Sequence, residues 1–241
     1  MLQRSIRKHA KSAGRVRALA SNPPWHGLSL AAILLLSAFF NLYGLTSEGH
    51  PNSYYSAAVK NMLTSPYNFF FVSFDAGFVS VDKPPLGLWI QAASAWLLGF
   101  NALTLVLPQA IAGVLSVAVL YHLVRRTFGP IVGLLSALAL AVTLIIIVTS
   151  RSNTMDMIVV LFVVLAAWAF IVAAERGSLS LLLLGVALVG LGFNTKTLQA
   201  YLVLPAFYLL YLLAARAARR VAFLGLGGRP NPIRRASLRG W

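Results

Sequence analysis

From Gly27 to Leu45 the chain carries no charged side chain, and the same holds over 103–124, 130–149 and 179–195. A run of about 20 apolar residues satisfies its backbone polar groups within its own helix and crosses the ~30 Å hydrocarbon layer of a bilayer. Two further runs, 156–174 and 198–215, bring the set to six, separated by the polar breaks Arg125-Arg126-Thr127, Arg151-Ser152-Asn153, Glu175-Arg176-Gly177 and Lys196. Only 10% of the 241 residues are charged, against roughly 25% in a soluble domain, which excludes a water-soluble globule. With no cysteine in the chain, disulfides, thiolate nucleophiles and Cys-ligated metals are excluded as well.

The net charge of +15 is asymmetric along this threading. Six spans place both termini on one side. That side receives the six cations of the leading tail, Arg125, Arg126, Arg176 and seven C-terminal arginines, 16 of the 20 basic residues. The other side keeps Lys60, Lys83, Arg151 and Lys196, together with four of the five acids, Glu48, Asp75, Asp82 and Asp156. The lysine and arginine bias therefore puts the termini in the cytoplasm of a multi-pass plasma-membrane protein. Residues 1–26 read as a basic cytoplasmic tail, 27–215 as the membrane module with an outer loop at 46–102, and 216–241 as a second, disordered basic tail. The positive charge points to topology and contact with anionic membrane lipids rather than to nucleic acid. Pro84 to Leu98, short for a span and opening on two prolines, is expected to lie in the outer interface, because a crossing there would invert every later loop.

A loop of nearly sixty residues is long for a connector and points to function. Pro51-Asn52-Ser53 can start and cap a helix whose apolar positions Tyr55, Ala58, Val59, Met62 and Leu63 recur at helical spacing. Pro66 is expected to stop it, before the aromatic stretch Tyr67 to Phe71 and the segment that leads through Asp75 to Val81-Asp82-Lys83-Pro84-Pro85. A second interfacial helix then runs from about Leu86 to Leu98. Two acids and a lysine beside aromatics at a bilayer surface suit a lipid-linked phosphate. The lysine neutralises phosphoryl oxygens, and a carboxylate acts as base or holds a divalent cation. The competing reading is a solvated Asp82–Lys83 pair in front of prolines that merely begin a helix.

Three segments together resemble a known family. They are Asn52-Ser53-Tyr54-Tyr55-Ser56-Ala57-Ala58-Val59 with Phe78-Val79-Ser80-Val81-Asp82-Lys83-Pro84-Pro85, then Arg151-Ser152-Asn153-Thr154-Met155-Asp156, and Gly192-Phe193-Asn194-Thr195-Lys196-Thr197. They are similar, in order and topology over about 28–215, to bacterial membrane glycosyltransferases of the protein O-mannosyltransferase and aminoarabinose-transferase superfamily. The resemblance implies an all-helical, GT-C-like membrane module, here the N-terminal part of a family pattern that runs to well over twice this length. It also implies inverting transfer of a glycosyl group from a polyprenyl-phosphate sugar to an acceptor (protein, lipid or glycan) at the outer face of the membrane. Carried over by position, Asp156 matches the family's second-loop acid and Lys83 its donor-phosphate lysine. The first-loop acid falls at Asn52 or Ser53; an amide takes no proton as a carboxylate does, so the base is Asp75 or Asp82, or is absent.

The remaining candidates carry two readings each. Asn153, three residues before Asp156, also looks like a helix cap with the acid favoured by the helix dipole. Arg151 either meets the donor phosphate or snorkels to headgroups, and Lys196 is either a second phosphate contact or a polar turn. Phe69, Phe70 and Phe71 read as membrane anchors before a sugar platform. Gly185, Gly190 and Gly192 read as a helix-packing face. His9, His26, His50 and His122 are scattered without metal-ligand spacing. The segment from Gly225 to Arg235 reads as a basic tail or as the product of a premature stop or shifted frame. The alternative to transfer is an inactive or partner-dependent fragment that binds lipid-linked sugar without catalysis. A transporter would bury ionisable groups at mid-bilayer, which these spans do not carry.

Overall fold

A computed structural model of the chain describes residues 25–45, 52–74, 77–205 and 209. Its elements are helix α1 (Trp25–Leu42), α2 (Ser53–Met62), α3 (Pro66–Phe71), a two-stranded hairpin of β1 (Ser73–Phe74) and β2 (Val79–Ser80), α4 (Pro85–Leu98), α5 (Ala102–Phe128), α6 (Pro130–Val142), α7 (Leu144–Ser150), α8 (Asp156–Arg176), α9 (Leu179–Lys196) and a 3-10 segment, Thr197–Val203. Two units divide the chain, Met1–Ala200 and Tyr201–Trp241. In the second, the described residues continue the 3-10 segment to Val203 and turn helical at Leu204.

Four helices are long and apolar enough to cross a membrane: Trp25–Leu42, Ala102–Phe128, Asp156–Arg176 and Leu179–Leu202. A fifth crossing is formed if α6 and α7 count as one span, and here the structure departs from expectation. The run 130–149 is two helices bent by 59°. Thr143 adopts an extended backbone at the junction, so the helix ends there and restarts. The sixth run, 198–215, reaches beyond the described residues, as do both basic tails.

Local chemistry explains the ends. Asn101 and Thr104 form a reciprocal capping box at the start of α5. Pro108, inside α5, has no N–H to offer the carbonyl of Thr104, and the Ser94 hydroxyl of α4 donates to that carbonyl instead at 2.6 Å. Pro66 does not terminate α2, which has already ended at Met62 with Leu63 as its C-cap. It occupies the first turn of α3 instead, after Ser65, whose hydroxyl accepts from Asn68 N at 3.1 Å. The aromatic stretch is thus helical, and Tyr67, Phe70 and Phe71 are exposed on it. The short hairpin pairs antiparallel, Ser73 with Ser80 and Phe74 with Val79.

α4, 14 residues long, is shorter than a span. It packs on α5 and α9 through a face of Gly87, Leu88, Gln91, Ala92 and Ala95. Leu88, Ala92 and Ala95 meet Ala58, Val59 and Met62 of α2, with Val72, Val81, Leu105 and Met155, in one buried cluster. The lobe of α2, α3 and the hairpin is therefore fastened to the bundle by α4. A second cluster joins Val117 and Tyr121 of α5 to Leu134, Ala137 and Ala141 of α6. Of the glycine face read on α9, Gly185 lies against the Phe170 ring and Gly192 against Ala200, whereas Gly190 faces open space.

Candidate functional site

The first turn of α8 and the last turn of α9 lie side by side because these helices run antiparallel. Asp156, the first residue of α8, and Lys196, the last of α9, form an ion pair there. Both side chains are mostly shielded from solvent, with 19% and 24% exposed. The acid also sits at the positive end of the α8 dipole.

Lys83 reaches the same end by a different device. α4 opens on Pro84 and Pro85, and Pro84 has no side chain to cap the helix. The unpaired Leu86 N–H donates instead to Asn194 Oδ1, at 3.2 Å, from the last turn of α9. A residue two positions before Lys196 thus caps the helix that begins two positions after Lys83, which sets the two lysines at one end of the bundle. Lys83 Nζ is held by Asp82 Oδ2 at 2.6 Å, and the carboxylate raises the lysine pKa above its ordinary value.

α2 supplies the third side. Asn52 is its N-cap: Oδ1 accepts from Tyr54 N at 3.0 Å and Tyr55 N at 3.4 Å. Its backbone is clasped by Asn153, wholly buried, whose Oδ1 accepts from Asn52 N at 2.8 Å. The same amide donates from Nδ2 to Asn52 O at 3.3 Å and Ser56 Oγ at 3.2 Å. This corrects the reading of Asn153 as the cap of α8. The N-cap position is Met155, in the left-handed region at φ 65°, with no side-chain cap, and Asn153 turns back to a residue 101 positions earlier. Met155 is buried under Gly87, where a Cβ would come within 2.7 Å of Met155 Cγ, so α4 can approach only as glycine at that point. Gln91 Nε2 donates to Asn153 O at 2.9 Å and fixes the same loop from below.

So anchored, α2 presents two tyrosines. Tyr54 Oη accepts from Asp82 N at 3.4 Å. Tyr55 lies within electrostatic reach of Asp82, Lys83 and Asp156; burial first, then Asp82, raises its phenol pKa. The periodicity reading placed Tyr55 among the apolar contacts of an amphipathic helix and missed this, as it missed Asn194 and Gln91. The signals available were the Asn-Ser-Tyr-Tyr run for Tyr55 and, for Asn194, the segment from Gly192 to Thr197.

The structure therefore brings together Asp82, Lys83, Asp156 and Lys196, with Asn52 beside them as a helix cap rather than a proton acceptor. Arg151 is turned to the end of α1, where Nη1 donates to Phe40 O at 2.6 Å. Asp75, Glu48 and His50 lie outside the described residues. Trp89 Nε1 donates to Phe69 O at 2.8 Å, and the rings of Phe69 and Phe70 lie 6.1 and 6.0 Å from the Trp89 ring, an aromatic wall at the base of α3. Among the described residues no three His, Asp or Glu side chains gather as a metal site. Two lysines, two carboxylates and a neutral phenol form a group that can bind a phosphate and accept one proton from a hydroxyl.

The sequence matches the family described as dolichyl-phosphate-mannose-protein mannosyltransferase over residues 82–227. It is 44% identical over 198 residues to "Putative mannosyltransferase YkcB" of Bacillus subtilis (strain 168), covering 82% of this chain and 28% of that protein. It is 45% identical over 191 residues to "Putative mannosyltransferase YycA" of the same organism, covering 79% and 28%. Similarity extends at 26% identity over 148 residues to the polyprenol-phosphate-mannose–protein mannosyltransferase of Corynebacterium glutamicum, covering 59% of this chain and 28% of that one. The chain thus spans just over a quarter of the length of these three relatives. No solved structure matches it.

Proposed function

Because the chain belongs to the family of dolichyl-phosphate-mannose-protein mannosyltransferases, we propose that its lysine and carboxylate pairs serve glycosyl transfer from a polyprenyl-phosphate sugar at the outer face of the cytoplasmic membrane. The observation that carries the reading is the convergence of Asp82–Lys83 and Asp156–Lys196 on one end of the bundle, about Tyr55. Lys83 and Lys196 take the donor phosphate, where negative charge grows as the bond from the anomeric carbon to the phosphate oxygen breaks. Tyr55, kept protonated by its raised pKa, offers a neutral hydrogen bond to the same group. The acceptor hydroxyl attacks the anomeric carbon from the opposite face, its proton passes to a carboxylate, Asp156, Asp82 or Asp75, and polyprenyl phosphate departs as the anion. The names of the relatives make mannose the first sugar to test and protein the first acceptor. Membrane lipids surround the module, with both termini in the cytoplasm.

A second reading, binding of lipid-linked sugar without turnover, is favoured by Asn52. It holds the position of the family's first-loop acid, and its Oδ1 is committed to the α2 backbone. Binding and turnover of polyprenyl-phosphate mannose by the purified chain in nanodiscs separate the two. Lys83→Ala is expected to weaken binding about tenfold or more, as for a charge-assisted hydrogen bond, and Asp156→Asn to lower turnover with membrane insertion intact. Undiminished donor binding by Lys83→Ala refutes the phosphate assignment; donor binding with no turnover by the unmodified chain selects the second reading.

A further inference from the structure

At the end of the bundle away from this site, a cavity of about 300 Å³ opens between α5 and α8, lined by His122, Arg125, Arg126 and Trp168. Its chemistry differs from that of a helix end that merely carries cations. Arg126 is forked onto Glu175, with Nε donating to Oε2 at 2.8 Å, and is largely neutralised. Arg125 is not. Its Nη1 donates to Tyr121 Oη at 3.3 Å and its guanidinium lies over the Tyr121 ring at 5.6 Å. Among the described residues it meets no carboxylate, and four of its five N–H donors remain for another partner. Gly133 of α6 packs against the Arg125 backbone, where a Cβ would come within 2.9 Å of Arg125 Cβ, and this holds the arginine root in place. Across the cavity, Trp168 offers an indole N–H with no acceptor among the described residues.

We propose that this cavity is a binding site for a phosphate group carried by the headgroup of an anionic phospholipid. A planar guanidinium pairs bidentately with phosphate oxygens, a tryptophan supplies both an apolar face and a donor, and basic pockets between spanning helices take anionic headgroups. His122 adds a second donor at the rim. The site is separate from the lysine pairs and stands or falls without them.

Trp168 is the reporter. In a variant with Trp25, Trp89, Trp96 and Trp241 replaced by Phe, it is the sole tryptophan. This full-length chain is reconstituted with brominated phosphatidylglycerol or brominated phosphatidylcholine, and quenching is read against lipid mole fraction. The anionic lipid is expected to quench at about a fivefold lower mole fraction. Arg125→Gln removes that preference, and Arg125→Lys, which keeps the charge but not the fork, retains part of it. Equal quenching by the two lipids, or a preference that survives Arg125→Gln, overturns the site. Should millimolar inorganic phosphate abolish the preference, the pocket takes soluble phosphate and the lipid assignment falls. Arg125→Lys keeps the test readable if the glutamine variant fails to insert.

Discussion

Asn153→Ala tests whether α2 is held to the bundle by one side chain. The alanine deletes the acceptor for Asn52 N and both donors, to Asn52 O and Ser56 Oγ, while Asn153 O keeps its bond from Gln91. Each bond contributes about 1 kcal/mol net. Asn52 is exposed, so water compensates part of the loss, and a total of about 2–3 kcal/mol is expected. That loss is local, because the apolar contacts of Ala58, Val59 and Met62 remain. In hydrogen exchange on the nanodisc-embedded protein, amides of the first turn of α2 should therefore exchange roughly 30-fold to 150-fold faster. Amides of α8 and α9 should be unchanged. Unaltered protection in residues 52–56 would mean that the apolar cluster, not the amide clasp, positions the helix, and the account of how Tyr55 reaches the lysines would be wrong.

Asn194→Ala removes one cap bond to Leu86 N; a loss of about 1 kcal/mol, seen as faster exchange at the start of α4, should accompany weaker binding of polyprenyl-phosphate mannose. Gly87→Ala drives a methyl into Met155 and should destabilise by about 1–3 kcal/mol in thermal unfolding; an unchanged melting temperature would refute the close approach of α4 to the Met155 turn. Lys83 and Tyr55 both hold their protons more tightly in the folded protein. Their contribution to stability is therefore fully present through neutral pH and is lost as pH rises above about 10, through the raised values; a melting temperature that fell between pH 7 and 9 in wild type but not in Lys83→Met would contradict this.

The sequence made legible what repeats or punctuates locally. Apolar runs marked the four helices long and apolar enough to cross a membrane, Asn52-Ser53 the start of α2, and the proline pair the start of α4. Lys83, Asp156 and Lys196 fell on one side by charge alternation, and the structure brings them to one end. What stayed hidden was set by partners far along the chain. Asn153 sits three residues before an acid at a helix start, a pattern that local rules read as a cap; its true partner is 101 residues away, and the left-handed Met155 that redirects it carries no signal of its own. Asn194 caps α4 through Leu86 N, 108 residues earlier. The bend at Thr143 interrupts a run whose hydropathy is continuous, and hydropathy reports solvent preference, not backbone path. Tyr55 is as suited to an apolar contact as to a polar one, and only the fold chooses.

The charges gathered at the site sum to zero, since each lysine travels with its own aspartate. On the proposed reading, an incoming phosphate therefore meets no net charge from these four groups. It must instead trade places with a carboxylate already on the lysine. On the proposed reading such an exchange works like a latch: a donor phosphate seated on Lys83 or Lys196 loosens Asp82 or Asp156 at the moment when a sugar is in place to transfer.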